Sequence, residues 1–138
     1  MAAQAKFHDA VKRALIKEEW TITHDPLSLQ FGIVDLYVDW GAEKLIAAQK
    51  GTQKIAVEIK SFLSPSLIST YHSALGQFLN YRLALRSEEP DRTLYLAVPM
   101  DTYEAFFKLE FTQLSIQENN LKLIVYHADR EVIVEWKE

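Results

Sequence analysis

Glu58 and Lys60 stand two residues apart in the run Gln53 to Lys60, whose apolar content predicts a buried strand. In a strand, residues i and i+2 project to one face. A carboxylate and an ammonium therefore lie side by side, with Val57 and Ile59 packed on the opposite face. Charged side chains on a core strand are paired or bind something. A metal-binding carboxylate beside a lysine is the working end of many phosphodiester-cleaving sites. The plainer reading of an isolated E-x-K is a salt-bridged pair on a half-exposed strand, so the surrounding residues must decide.

Two acids upstream can converge on Glu58. Lys50-Gly51-Thr52 reads as a tight turn between strands at Leu45 to Gln49 and Gln53 to Lys60, with Gly51 free to take positive φ. If Lys50-Gly51 is the two-residue turn, Gln49 pairs with Thr52 and Glu58 faces Glu43; a one-residue shift moves that partner. Asp39 precedes Gly41, which can bend the chain back. Two carboxylates in contact stay ionised when a cation sits between them. An oxygen-only donor set suits Mg²⁺ or Mn²⁺. The plainer roles are a turn cap for Asp39 and a surface charge for Glu43.

Further along, Gln77 and Tyr81 are spaced i, i+4 and share one face of a predicted helix. Together they can hydrogen-bond a bound water, Lys60 or a DNA phosphate; otherwise they are a rim pair at a sheet edge. His8 can line the same cleft, although a lone histidine is more often packed or solvated. Asp39, Glu43, Glu58, Lys60, Gln77 and Tyr81 are thus the candidate catalytic residues, and Asp39, Glu43 and Glu58 the candidate metal ligands.

The elements that must position these residues follow from periodicity. Ala3 to Glu19 predicts a helix, its stripe formed by Phe7, Ala10, Val11, Ala14 and Leu15. A short strand follows at Trp20 to Thr23, punctuated by His24-Asp25-Pro26, and Ser28 to Asp39 reads as extended. Ser64-Pro65 is a helix start, with Ser as cap. That helix runs to about Arg86 and is expected to bury Ile68, Leu75, Phe78, Leu79 and Leu85. Thr93 to Pro99 is apolar enough for a strand covered on both faces. Asp101 to Glu104 has capping-box spacing, and Phe111 to Gln117 leans towards helix. Leu121 to Tyr126 and Glu131 to Trp136 form a terminal hairpin. A strand, long helix and strand in succession imply a right-handed crossover and a mixed sheet flanked by helices.

The chain has 138 residues, the size of one domain, so residues 1–138 read as a single unit. It lacks cysteine, which excludes disulfides and thiolate metal sites. No apolar run approaches the roughly 20 residues of a membrane span, and the N-terminus has no secretory signal; a cytoplasmic protein is expected. The net charge of −4 argues against strong non-specific DNA binding by the isolated chain. A nucleic-acid role therefore needs a local basic face, a metal or a partner, and self-association stays open. Nothing resembles a nucleotide-binding loop or a nucleophile elbow.

An acid before a hairpin, E-x-K on its second strand and Q-x-x-x-Y on the next helix resemble the PD-(D/E)XK nuclease superfamily, whose core is restriction-endonuclease-like. The segments ALIKEEWTITHDPL, VDLYVDWGAEKLIAAQ, KIAVEIKSF, ALGQFLNYRLAL and LYLAVPMDTYEAFF resemble the XisH family, the fdxN element excision controlling factors of cyanobacteria. The resemblance covers essentially the whole chain. It implies an α/β fold of the restriction-endonuclease type with a C-terminal β-hairpin, and a role in excising a DNA element together with XisI and a site-specific recombinase. It also implies a Mg-dependent DNA endonuclease-type domain, the alternative being an inactive scaffold that binds DNA or partner proteins. Val38 precedes Asp39 and Ala42 precedes Glu43, where the nuclease motif has proline. The glutamate on the first helix of many such nucleases has His8, Asp9 or Glu18 as possible counterparts.

Overall fold

Alternation along two neighbouring strands builds the centre of the fold. The computed structural model describes residues 2–36 and 44–138. Strand β4 (Lys44–Lys50) and strand β5 (Gln53–Ile59) form the predicted hairpin. On β5, Ile55, Val57 and Ile59 face helix α1 (Ala2–Lys17), and they pack with Ala10, Val11 and Leu15. Ala56 faces the other way, into a second core with Phe78, Tyr81 and Leu85 of helix α2 (Leu67–Glu88). Two apolar layers on opposite faces of one sheet follow from this period of two.

The sheet has six strands. Before β4 in the chain come β1 (Thr21–His24) and a small hairpin of β2 (Leu29–Phe31) and β3 (Val34–Leu36). After α2 come β6 (Arg92–Pro99), a short helix α3 (Met100–Thr102) running into a π-helical turn (Tyr103–Phe107), helix α4 (Glu110–Asn119), β7 (Leu123–His127) and β8 (Val132–Lys137). The order across the sheet is β1-β4-β5-β6-β7-β8. The β5–β6 and β6–β7 pairs are parallel and the rest antiparallel, so the sheet is mixed and carries the expected C-terminal hairpin. Parallel neighbours need a crossover; α2 supplies the first, and α3, the π turn and α4 the second. No helix among the described residues is long and apolar enough to cross a membrane.

Several local expectations need correction. The β4–β5 turn is Gly51-Thr52, not Lys50-Gly51: Lys50 pairs with Gln53, and Glu58 is opposite Leu45, not Glu43. Gly51 does take positive φ, as expected, but as the first residue of the loop. The extended segment from Ser28 is instead a hairpin that turns at Gly32, also at positive φ, and forms its own two-stranded sheet. The α2 cap is Ser66, whose Oγ accepts from the Ser69 N–H at 3.3 Å, not Ser64, whose Oγ accepts from the Ser66 N–H. The buried face of α2 is Tyr71, Ala74, Phe78, Tyr81, Ala84 and Leu85. Ile68 is exposed and Leu75 and Leu79 are half-buried, so the helix is rotated from the apolar stripe. Small and aromatic side chains make up most of that buried face. Asp101 does not close a capping box: its side chain accepts from the Thr102 N–H, while Glu104 pairs with Lys108.

Candidate functional site

The Glu58 side chain leaves β5 on the α2 face, the same face as Ala56. Glu58 is 2% exposed and Lys60 6%. The Lys60 ammonium stands 3.9 Å from a Glu58 carboxylate oxygen, an ion pair without the closeness of a hydrogen bond. Burying two charges is costly unless their surroundings compensate. The half-exposed salt bridge considered for this tripeptide is therefore not what the chain builds.

Lys60 is held through its backbone. Its N–H donates to the Ala97 carbonyl at 3.3 Å, extending the β5–β6 pairing by one residue. Its carbonyl accepts from the Tyr126 hydroxyl at 3.4 Å. Two residues on, Phe62 takes a left-handed φ of 55°, a conformation that a bulky residue adopts only when packing enforces it. Its ring meets Phe107 edge-to-face at 5.5 Å. This bend turns the chain off the sheet and into α2, which returns across the Glu58 face.

On α2, Tyr81 is buried in the core that includes Ala56. Burial raises its hydroxyl pKa well above the ordinary tyrosine value, and the negative charge of Glu58 raises it further. That coupling places Tyr81 in the electrostatic field of Glu58. Gln77 lies one turn earlier and is half-buried; its side-chain oxygen is buried without a hydrogen-bond partner among the described residues. Glu58, Lys60 and Tyr81 are thus gathered in one place, with Gln77 beside them along the helix. Asp39 and Glu43 lie outside the described residues.

The first-helix candidates have other engagements. His8 is buried, and its Nε2 is 3.3 Å from the carboxylate of Asp25, which also accepts from Lys12 at 2.8 Å. Glu18 accepts from the Trp136 indole N–H at 3.0 Å. Asp9 is half-buried on α1. The His8–Lys12–Asp25 cluster was missed in the sequence because His24-Asp25-Pro26 reads only as punctuation; the i, i+4 spacing of His8 and Lys12 was the available signal. Arg92 is also buried, although nothing in the sequence around it marks it out. No group of three or more His, Cys, Asp or Glu side chains able to hold a metal stands together among the described residues.

Known proteins place this arrangement in a family. The XisH protein family model matches residues 1–134. A crystal structure of an XisH family protein from Nostoc punctiforme PCC 73102 aligns with a TM-score of 0.90 at 51% identity, covering 96% of this chain and 99% of that one. A crystal structure of an fdxN element excision controlling factor protein from Anabaena variabilis aligns with a TM-score of 0.90 at 53% identity, covering 97% and 99%. No curated protein matches the chain. From its first residue to within four of its last, the chain belongs to the XisH family.

Proposed function

We propose that the protein controls excision of a DNA element, as the name of its Anabaena variabilis relative says of that protein, and that it does so as a Mg-dependent endonuclease-type domain of the restriction-endonuclease-like class. The observation that carries the reading is the buried Glu58–Lys60 pair at the end of β5, covered by Tyr81. A strand hairpin, a crossover helix and two further parallel strands around that pair support the fold assignment.

Glu58 is a hard oxygen donor, fit for Mg²⁺, and would need a second carboxylate, Asp39 or Glu43, to hold it. A metal held there would supply polarisation of the scissile phosphate and a lowered pKa for a bound water. The protein residues have separate tasks. The Lys60 ammonium orients the attacking water and balances charge developing on the phosphate oxygens. Tyr81 carries its proton at neutral pH as an ordinary tyrosine does, and burial and Glu58 oppose its ionisation further. It therefore acts as a hydrogen-bond donor, and a phenolate nucleophile is disfavoured. The Gln77 amide orients groups bound above the helix. An XisI-like protein and a site-specific recombinase complete the proposed assembly and supply the DNA affinity that a net charge of −4 denies the isolated chain.

The acidic charge also favours a second reading, in which the chain is an inactive scaffold that directs the recombinase. Cleavage of element-border DNA with Mg²⁺ and the partner proteins separates the two. The nuclease reading predicts that Lys60→Ala lowers the cleavage rate by about 100-fold or more. Cleavage at the parental rate would refute the role of Lys60. Normal excision in cells carrying Glu58→Gln would favour the scaffold.

A further inference from the structure

A net charge of −4 leaves contact with an anion to a local basic face, and one lies where α2 meets the start of β6. A pocket of about 250 Å³ opens there, between α2, the first residues of β6 and the loop that joins α4 to β7. Arg82, Arg92, Lys122, Thr93 and Asn120 line it over an apolar floor of Phe78 and Leu94, and no carboxylate is in its lining. Thr93 pairs with Ile55 and Ala97 with Ile59, so the pocket stands at the other end of these parallel strands from Lys60.

The three cations differ in what they already hold. Arg92 is fully engaged within the chain: Nε and Nη2 donate to Glu89, and Nη1 to the Ile55 carbonyl. Arg82 is half-buried, with its guanidinium over the Phe78 ring at 5.5 Å. Its Nη1 donates to the Asn119 and Asn120 carbonyls at 2.8 and 3.1 Å. Asn120 ends α4 in the left-handed conformation, so this contact caps the negative end of the helix. The cap uses one nitrogen. Among the described residues, Nε and Nη2 have no acceptor and no carboxylate pairs with Arg82. Burial, and then the like charge of Arg86 one turn further on, push the Arg82 pKa below its ordinary value. The Lys122 ammonium has only a loose partner, Glu138 at 3.8 Å, and both side chains are exposed. Such a surface pair is readily exchanged for another anion.

We propose that this pocket binds a phosphate group, with the unengaged edge of Arg82 and the Lys122 ammonium on the phosphate oxygens. A guanidinium edge pairs with two phosphate oxygens at once, and an ammonium adds a point charge. The Thr93 hydroxyl and the Asn120 amide supply neutral donors beside them. The apolar floor of Phe78 and Leu94 lowers the local dielectric and strengthens both charged contacts. DNA as the source of the phosphate rests on the excision role proposed above: the pocket then anchors the duplex backbone away from Glu58, a contact that positions without reading sequence. A free phosphate compound offers the same chemistry.

NMR titration of the full chain in EDTA tests the proposal, following the backbone amides of Thr93, Asn120 and Lys122 and the Arg82 Nε–H. A short DNA duplex and inorganic phosphate are added separately, each against sodium chloride of equal ionic strength. The duplex should move these signals saturably. Arg82→Gln and Lys122→Gln, each checked for native circular dichroism, should weaken that binding by about 10-fold. Lys17→Gln, on the helix that covers the opposite face of the sheet, should leave it unchanged. Signals that answer inorganic phosphate but not the duplex support the pocket and assign it to a free phosphate compound. No response to either, a response no greater than that to sodium chloride, or parental binding by Lys122→Gln overturns the proposal. With no metal present and no cleavage read, failure here leaves the Glu58–Lys60 site standing, and loss of cleavage in Lys60→Ala leaves these shifts in place.

Discussion

Glu58 and Lys60 are charged residues buried almost completely, and that burial is the main functional signal at the residue scale. A structural role would be served as well by two hydrophobic residues, since buried ion pairs contribute little net stability. Asp25 shows the contrasting case of a charge held for structure. Burial alone raises its carboxyl pKa, but the hydrogen bonds from Lys12 and His8 outweigh burial and leave it below the ordinary value. A carboxyl depressed in the folded state contributes stability above its unfolded pKa of about 3.9 and loses it as pH falls through the lower folded value. Urea unfolding at pH 6 and pH 3 should therefore show a larger acid loss for the wild type than for Asp25→Asn. Equal losses would mean that the cluster contributes nothing through ionisation.

At the scale of elements, Arg92 fixes the return of α2 to the sheet. Its guanidinium is buried; it donates to the Ile55 carbonyl at 3.0 Å and to Glu89 at 3.0 and 2.8 Å. Arg92→Ala strands the buried carbonyl and should cost about 2–3 kcal/mol in equilibrium unfolding. A cost under about 0.5 kcal/mol would show that water replaces the contact. Strands were the legible elements: β4, β5, β6 and the terminal hairpin follow from alternation and apolar runs. The orientation of α2 was not legible, because leucines and isoleucines lie on both sides of it. Its true inner face is marked by Tyr71, Ala74 and Tyr81, whose sizes matter only once the sheet beneath them is known. The Gly51-Thr52 turn escaped for a similar reason. Either two-residue loop satisfies the local sequence, and the cross-strand packing of Leu45 and Ala47 with Ala56 selects the register.

For the whole molecule, the sheet order brings together residues far apart in sequence. The β5–α2 connection returns Tyr81 across Glu58, and β6 and β7 wall the other side through Ala97 and Tyr126. The Glu58, Lys60, Gln77 and Tyr81 grouping was readable from spacing because all four lie on consecutive elements. Asp39 and Glu43, the two candidates for a second acid, lie outside the described residues. In the proposed site Glu58, with Asp39 or Glu43, holds one divalent cation beside Lys60. Isothermal titration of Mn²⁺ into the purified chain, beside Glu58→Gln, tests it most directly. About one ion should bind per chain, and the binding should disappear in the variant. Equal binding by both proteins, or binding by neither, would contradict it.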